Sequence, residues 1–196
     1  NGIIANDYEN QKKINDIQLG GDAKFVIDNS LTLDLTINPD FSQVEVDDQI
    51  TNLTRFEISL PEKRQFFIEN SDLFSSFGDR GDSNPFFSRR IGIAKDLNGN
   101  NIQNKIIAGL RLSGKINNDF RVGLLNMLTE EDLENNIASN NNTVLALQHK
   151  VFNRSNISFL FINRESIKNY DFESENPYNR VIGIDYNLAS SDSKWE

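Results

Sequence analysis

Apolar and polar side chains alternate with a period of two along much of this chain. The alternation is cleanest over 31–37, where leucines and an isoleucine share one side while two threonines and Asp34 share the other. The same rhythm recurs over 22–28, 106–113, 120–124, 143–151, 157–163 and 182–188. Because successive side chains of a strand point to opposite faces, these stretches predict antiparallel strands with one apolar and one polar face.

Turn residues separate the predicted strands at two spacings. Short links rich in Asn, Asp and Ser lie at 28–30, 117–119 and 153–156, and they predict hairpins. Longer links lie at 129–142 and 164–179, with an Asn-rich loop expected over 135–142. Short turns on one side and long loops on the other are typical of outer-membrane barrels. A soluble β-sandwich or barrel has the same local pattern, so periodicity alone leaves both open.

The alternation stops in the centre of the chain. A break at Asn38-Pro39-Asp40 is followed by a strand expected at roughly Phe41 to Val46, and the region 47–91 is then rich in charge. It is too charged and too long for a hairpin turn. It therefore predicts an ordered, irregular insertion or plug-like loop, with one short helix near 52–58. The stretch 104–188 then returns to hairpins.

Composition narrows the possible partners. The formal net charge is -9 and the pI is about 4.7, which argues against nucleic acid because phosphate repels an acidic surface. The chain has no cysteine and one histidine, His149, so thiolate and multi-histidine metal sites are excluded. No run approaches the roughly 20 apolar residues of a spanning helix. A barrel strand needs only about 9–11 residues, and only alternate ones face lipid, so this polar composition is compatible with a barrel.

Four central motifs carry a resemblance to a known family. They are Asn38–Glu45, Asn52–Glu57, Pro61–Glu69 and Ser88–Gly92. In their order and spacing they resemble an uncharacterised outer-membrane-barrel-like C-terminal domain, which follows a family-9-like carbohydrate-binding domain in Gram-negative surface proteins.

This resemblance implies a location and partners. It implies that residues 1–196 are a fragment of one β-barrel domain in the cell outer membrane, in contact with outer-membrane lipid. It also implies a carbohydrate-binding domain before Asn1 and further barrel strands after Glu196. Any contact with carbohydrate would then pass through the upstream domain.

The charged insertion supplies the candidate site residues. A charge removed from water is tolerated only when it is paired, so the mixture of acids, bases and phenylalanines in this region predicts interlocking ion pairs. We expect a ligand or plug network formed by Glu45, Arg55, Glu57, Glu62, Lys63, Arg64, Glu69, Arg89 and Arg90. Such a network either constricts a pore and contacts a passing ligand, or only fixes the insertion against the barrel wall.

Catalysis is disfavoured by the same residues. Glycoside hydrolysis needs a carboxylate pair that includes a protonated general acid, and Glu57, Glu62 and Glu69 supply the group. The neighbouring Arg55 and Arg64 would keep these carboxylates ionised. We therefore expect no catalytic residue, no metal and no cofactor. The Asp96–Asn101 stretch lacks the distal bidentate Glu of a calcium loop and predicts an Asn-Gly hairpin or surface turn.

The sequence as a whole predicts an all-β chain of antiparallel up-and-down hairpins, with first strands over 20–46. We interpret it as a fragment of a transmembrane β-barrel with a charged insertion, non-catalytic, which serves passage or surface display linked to carbohydrate handling. Two alternatives stay open, a glycoside hydrolase and a soluble carbohydrate-binding β-rich module. The carbohydrate-binding module is disfavoured, because it needs exposed aromatic side chains on one face and Trp195 is the only tryptophan. The aromatics expected near strand ends, in an interfacial girdle or in the core, are Phe159, Phe161, Tyr170, Phe172, Tyr178 and Tyr186.

Overall fold

A computed structural model of the chain describes residues 19–28, 30–39, 62–75, 77, 85–167 and 177–190. Within these ranges the fold is all-β, with a few short helical turns. The strands are β1 (Gly21–Asp28), β2 (Leu31–Ile37), β3 (Ile93–Lys95), β4 (Asn101–Gln103), β5 (Ile106–Lys115), β6 (Phe120–Thr129), β7 (Asn140–Phe152), β8 (Ser155–Ser166) and β9 (Tyr178–Asn187). The helices are α1 (Gln65–Ile68) and α2 (Asp72–Ser75), with a 3-10 turn at Ser88–Arg90.

Seven of the strands form one antiparallel meander in the order β1-β2-β5-β6-β7-β8-β9. Neighbours in this sheet follow one another along the chain, except that residues 38–105 separate β2 from β5. The predicted hairpins at 28–30, 117–119 and 153–156 are confirmed by the pairing of β1 with β2, β5 with β6 and β7 with β8. The described strands form an open sheet, because β1 and β9 lie at opposite edges.

Some predicted boundaries differ from the structure. The loop expected over 135–142 is wrong at its end, because β7 already begins at Asn140 and pairs Asn140 with Ser166. The side chains of Asn126, Asn141 and Thr143 hydrogen-bond to one another across β6 and β7. Asparagines that suggest a loop in the sequence therefore have their side-chain hydrogen-bond partners within the sheet. The strand expected at 41–46 and the helix expected near 52–58 lie outside the described residues.

The two faces of the sheet differ in chemistry: one has an apolar row through all seven strands, and the adjacent row on the other is charged in β1, β2 and β5 and apolar in β6 to β9. Cross-strand partners link one apolar row through every strand: Phe25, Leu33, Leu112, Leu124, Leu145, Phe161 and Ile182. We call this side the open face, because it carries none of the described helical turns. The adjacent residues on the other side form the row Lys24, Asp34, Arg111, Leu125, Val144, Ile162 and Val181. We call that side the covered face.

The covered face is overlaid by residues 62–75, 77 and 85–91, which we call the covering segment. Its buried apolar side chains are Phe67, Leu73, Phe74, Phe77 and Ile91. They pack against Ile106, Leu125, Met127, Val144, Ala146 and Leu160 of the sheet, and together these residues form the core. Within the described residues, the core therefore lies between the sheet and the covering segment.

A bulge in β5 makes one predicted side-chain orientation wrong. The alternation over 106–113 places Ile106 with Ala108, on the apolar side. The register instead shifts between Ile106 and Ala108, and Ile106 is buried in the core beneath the covering segment. An extra residue in one strand moves the following side chains to the other face, which periodicity alone does not reveal.

A small hairpin follows the covering segment. Strands β3 and β4 pair through a turn in which Asp96 accepts hydrogen bonds from the backbone N–H groups of Asn98 and Asn100. Gly99 has a φ of 85°, a left-handed conformation that glycine adopts without steric cost. The expected Asn-Gly hairpin is therefore confirmed. In the part of the chain that the structure describes, no helix is long and apolar enough to cross a membrane.

Candidate functional site

The centre of the candidate site is Arg111, placed by strand register. Lys24 of β1 pairs with Asp34 of β2, which pairs with Arg111 of β5, so three charged residues stand side by side on the covered face. The side chain of Arg111 is only 2% exposed. A buried charge of this kind requires ionic or hydrogen-bonding partners, which the neighbouring strand and the covering segment supply.

Every N–H donor of the Arg111 guanidinium has an acceptor. Nη2 and Nε donate to the same Asp34 carboxylate oxygen, at 2.7 and 3.2 Å. Nη1 donates to the backbone carbonyls of Phe66 and Glu69, the latter at 2.8 Å. The guanidinium also lies 5.3 Å from the centre of the Phe66 ring. Arg111 therefore joins the sheet to the backbone at the end of α1.

Glu69 completes this cluster. Its Oε2 accepts a hydrogen bond from Arg111 Nη2 at 3.2 Å, and its Oε1 accepts one from Lys24 Nζ at 2.7 Å. The hydrogen bond from Lys24 lowers the pKa of Glu69 more than partial burial raises it, and the nearby charge of Arg111 lowers it further. The Glu69 carboxylate therefore stays ionised near neutral pH and bridges β1 and β5.

A second buried arginine holds the covering segment to itself. Arg64, whose side chain is 5% exposed, donates from Nη2 and Nε to the two carboxylate oxygens of Glu62, at 2.7 and 2.8 Å. It also donates to the carbonyls of Ile91, at 2.5 Å, and Ser88, at 2.8 Å. Its guanidinium lies 4.1 Å from the centre of the Phe67 ring. Arg64 thus fastens the start of the segment to its end.

The Glu62 carboxylate is partly buried, and its surroundings decide its charge. Burial raises its pKa, but hydrogen bonds from Arg64 and Ser88 lower that pKa by more, so the net pKa lies below the usual value. The Ser88 hydroxyl donates to Oε2 at 2.6 Å. The backbone N–H of Arg64 donates to Oε1 at 2.9 Å. Glu62 is therefore a carboxylate held as an acceptor, not a proton donor.

Two further contacts attach α2 to the sheet. Arg121 Nη2 lies 2.8 Å from Asp72 Oδ2, and Asn70 Nδ2 donates to Ser113 Oγ at 3.0 Å. The side chain of Asp72 is 60% exposed, so this ion pair is screened by water and contributes little stability. Both polar contacts lie at the N-terminal side of α2, next to the apolar contact of Phe74 with the sheet.

The predicted site residues fall into distinct groups. Glu62 and Arg64 form an ion pair within the covering segment, which we call the Arg64 clasp. Glu69 instead joins the Arg111 cluster. Lys63 is exposed, and only its backbone N–H contacts Glu62, at 3.1 Å. Arg89 is buried and Arg90 exposed, both in the 3-10 turn. The predicted members Glu45, Arg55 and Glu57 lie outside the described residues.

The prediction omitted Lys24, Asp34 and Arg111 from the network. Each was visible as a polar residue within an alternating strand, opposite aliphatic neighbours. Arg111 lies 77 positions from Asp34 and 42 from Glu69 in the sequence, so only the strand register brings them together. A charged residue on the polar side of each of several neighbouring strands would have indicated this network.

The arrangement binds and positions charge, and neither Glu62 nor Glu69 has the raised pKa of a general acid. Glu62 and Glu69 are each engaged by basic side chains, and the pKa of each is lowered rather than raised. A general acid for glycoside hydrolysis needs the opposite shift. Among the described residues, no group of three His, Cys, Asp or Glu side chains could hold a metal ion. His149 is exposed on β7, with its ring 6.0 Å from that of Phe120.

Comparison with known proteins identifies a family without an assigned activity. No curated protein and no solved structure matches the chain significantly. The model of one family, described as "Domain of unknown function (DUF5916)", matches residues 2–176. That range covers most of the chain, including the covering segment and the strands from β1 to β8. The chain therefore belongs to the family described as Domain of unknown function (DUF5916).

Proposed function

We propose that this chain is a non-catalytic part of an outer-membrane β-barrel protein, in which it serves passage or surface display linked to carbohydrate handling. In this proposal the open face contacts lipid, the covered face lines the interior and the covering segment acts as a plug-like lining. The link to carbohydrate comes from the resemblance described above, through a binding domain before this one.

The observation that carries the proposal is the apolar row across the open face. All seven strands contribute an apolar residue to it, from Phe25 at one edge to Ile182 at the other. Towards the β9 edge this face is highly exposed, with Ile182 at 69% and Ile184 at 73%. A soluble sheet covers such a face with a second layer, whereas a membrane barrel presents it to acyl chains.

The covered face supports the same proposal from the other side. It carries the buried charges Asp34 and Arg111, together with small residues such as Gly123 where the covering segment lies close. The covering segment also packs on an apolar core in β5 to β8, so it is the buried charges in β2 and β5 that distinguish this face from the open one. Charges beneath an inward-folded segment agree with the polar lumen side of a barrel wall.

On strands β6 to β9 one row of the open face is polar, and it continues as Leu110 in β5 and Leu35 in β2. Cross-strand pairing links Asn126, Thr143, Asn163 and Arg180 directly beside the apolar row. Arg180 lies 4.7 Å from the ring centre of Tyr178, beyond this row. Tyrosines and polar groups concentrate where a membrane meets water.

Charge substitution at two neighbouring positions of β9 tests the proposal. Ile184 lies on the open face and Asp185 on the covered face, and both are exposed in the described sheet. We expect Ile184→Arg to reduce stable insertion of the full chain into lipid vesicles, since an arginine in the lipid-facing band costs about 2–4 kcal/mol. Asp185→Arg, the matched control, should insert like the wild type.

The measurement is the fraction of chain that resists extraction from the vesicles and protease. Equal insertion of the two variants would contradict a lipid-facing role for the open face. So would cooperative folding of the wild-type chain as a soluble monomer without lipid or detergent. A sheet like that of the described strands, with β1 and β9 at its edges and an apolar face exposed, is expected to aggregate in water.

A further inference from the structure

The contact between Glu69 and the sheet has the geometry of a bound carboxylate. Lys24 Nζ lies 2.7 Å from Oε1 and 2.5 Å from Oε2 of Glu69, and Arg111 Nη2 lies 3.2 Å from Oε2. The two cations come from β1 and β5, on either side of Asp34 in β2. Lys24, Asp34 and Arg111 together carry a net charge of +1 without Glu69, and this positive charge favours the binding of an anion.

This carboxylate can be exchanged without dismantling the site. The side chain of Glu69 is 33% exposed and that of Lys24 is 46% exposed, so solvent reaches their contact. Arg111, in contrast, is 2% exposed and keeps Asp34 and the carbonyls of Phe66 and Glu69 as acceptors if the Glu69 side chain turns away. Only one long side chain has to move, and the backbone of the covering segment can stay in place.

We propose that Lys24 and Arg111 form a binding site for the carboxylate group of an acidic solute, and that Glu69 is its built-in competitor. The ligand class is a small carboxylate, such as an organic acid or an acidic sugar. The planar fork of an arginine beside a lysine suits a planar carboxylate, and a carboxylate is the group that occupies the site in this structure. The inference concerns the covered face alone and holds whether or not the open face meets lipid.

Occupation of the site by a solute would change the covering segment locally. Glu69 follows α1 directly, and its side chain is what ties this point of the segment to Lys24 on the edge strand β1. A bound carboxylate releases that tie while the Arg64 clasp, which lies entirely within the covering segment, remains closed. Ligand binding therefore loosens the attachment of the segment near β1 without unfolding the segment.

Chemical rescue tests the proposal in the full chain. Glu69→Ala removes the internal carboxylate and leaves its position open, so sodium acetate should raise the urea midpoint of this variant, folded in detergent micelles, in a saturable way. Sodium chloride at the same ionic strength and neutral acetamide should not. The double variant Lys24→Met with Glu69→Ala should lose the response. Glu165→Ala removes a carboxylate from an exposed pair, 3.9 Å from Arg180, and should show no specific response to acetate.

A second variant covers the case in which Glu69→Ala does not fold. Glu69→Gln keeps the shape of the side chain and removes its charge, so it should bind acetate at least roughly tenfold more tightly than the wild type by calorimetry. Inorganic phosphate, tested in parallel, should bind more weakly. The proposal is overturned if Glu69→Gln and the wild type bind acetate equally, if Lys24→Met does not weaken binding, or if acetate stabilises Glu69→Ala no more than chloride does.

Discussion

Arg111 and Arg64 are both buried, but they hold different parts of the molecule together. Arg111 joins β5 to β2 and to the end of α1, whereas Arg64 joins two stretches of the covering segment. Removing one partner of a buried ion pair leaves the other partner desolvated and uncompensated. Replacing Arg111 should therefore destabilise the contact between the sheet and α1, whereas replacing Arg64 should destabilise the covering segment.

Arg111→Met should strongly destabilise the chain, by about 3–5 kcal/mol, because Asp34 and two backbone carbonyls would lose their donor. The matched control is Arg180→Met, since Arg180 pairs with Glu165 at the surface, at 3.9 Å. Its cost should stay within about 1 kcal/mol. Urea unfolding of both variants in detergent micelles, the condition for the unfolding measurements below as well, measures the difference, and equal losses would contradict the role assigned to Arg111.

Glu62 makes part of the stability depend on pH. Burial raises its pKa, but the hydrogen bonds from Arg64 and Ser88 together lower it by more, so the folded pKa lies below the usual value of 4.5. A depressed pKa contributes stability that is fully present above the unfolded value and is lost as the pH falls through the folded value. The difference in unfolding free energy between wild type and Glu62→Gln should thus be largest above pH 4.5 and shrink in more acidic solution. A difference that grows on acidification would refute this account of Glu62.

At the scale of elements, the position of α2 depends on a glycine in β6. A Cβ built on Gly123 would lie 2.7 Å from Cζ of Phe74, too close for a real contact. A Cβ on Gly183 of β9 would lie 3.7 Å from Leu160 Cβ, which is ordinary contact. Both glycines stand in one cross-strand row of the covered face, through Ala146 and Leu160.

Gly123→Ala should therefore push Phe74 out of the core and cost about 1–3 kcal/mol, the usual penalty of overpacking. Gly183→Ala, its control, should be neutral or slightly stabilising, because alanine loses less conformational freedom on folding than glycine. Urea unfolding gives both free energies, and protease cleavage within residues 62–77 reports whether α2 detaches. Similar behaviour of the two variants would show that α2 does not depend on this close contact.

The elements also show what the sequence could predict. Strands with clean alternation, such as Leu31–Ile37, were found within a residue or two, because half-buried strands impose the period. Asn140 to Asn142 were missed because asparagine favours turns locally, while here the ladder satisfies them. The Arg111 cluster was missed because its members are brought together by register, which depends on pairing across the long insertion.

At the scale of the whole molecule, the two faces of the sheet differ in what covers them. The open face carries a continuous apolar row that none of the described helical turns covers, whereas the covered face carries the buried charges together with the apolar core. This contrast was predictable from the two sides of the alternation. What was not predictable is which side the insertion covers, because a charged insertion could cross either face of the sheet.

The most direct test of this contrast is a single-cysteine scan along β9. The chain has no native cysteine, so an environment-sensitive fluorophore can be placed at each position from Val181 to Tyr186 in turn. In vesicles with brominated acyl chains, we predict strong quenching at 182, 184 and 186 and little at 181, 183 and 185. Quenching without this alternation, or labels at 182 and 184 that report water in the folded chain, would contradict the lipid-facing assignment.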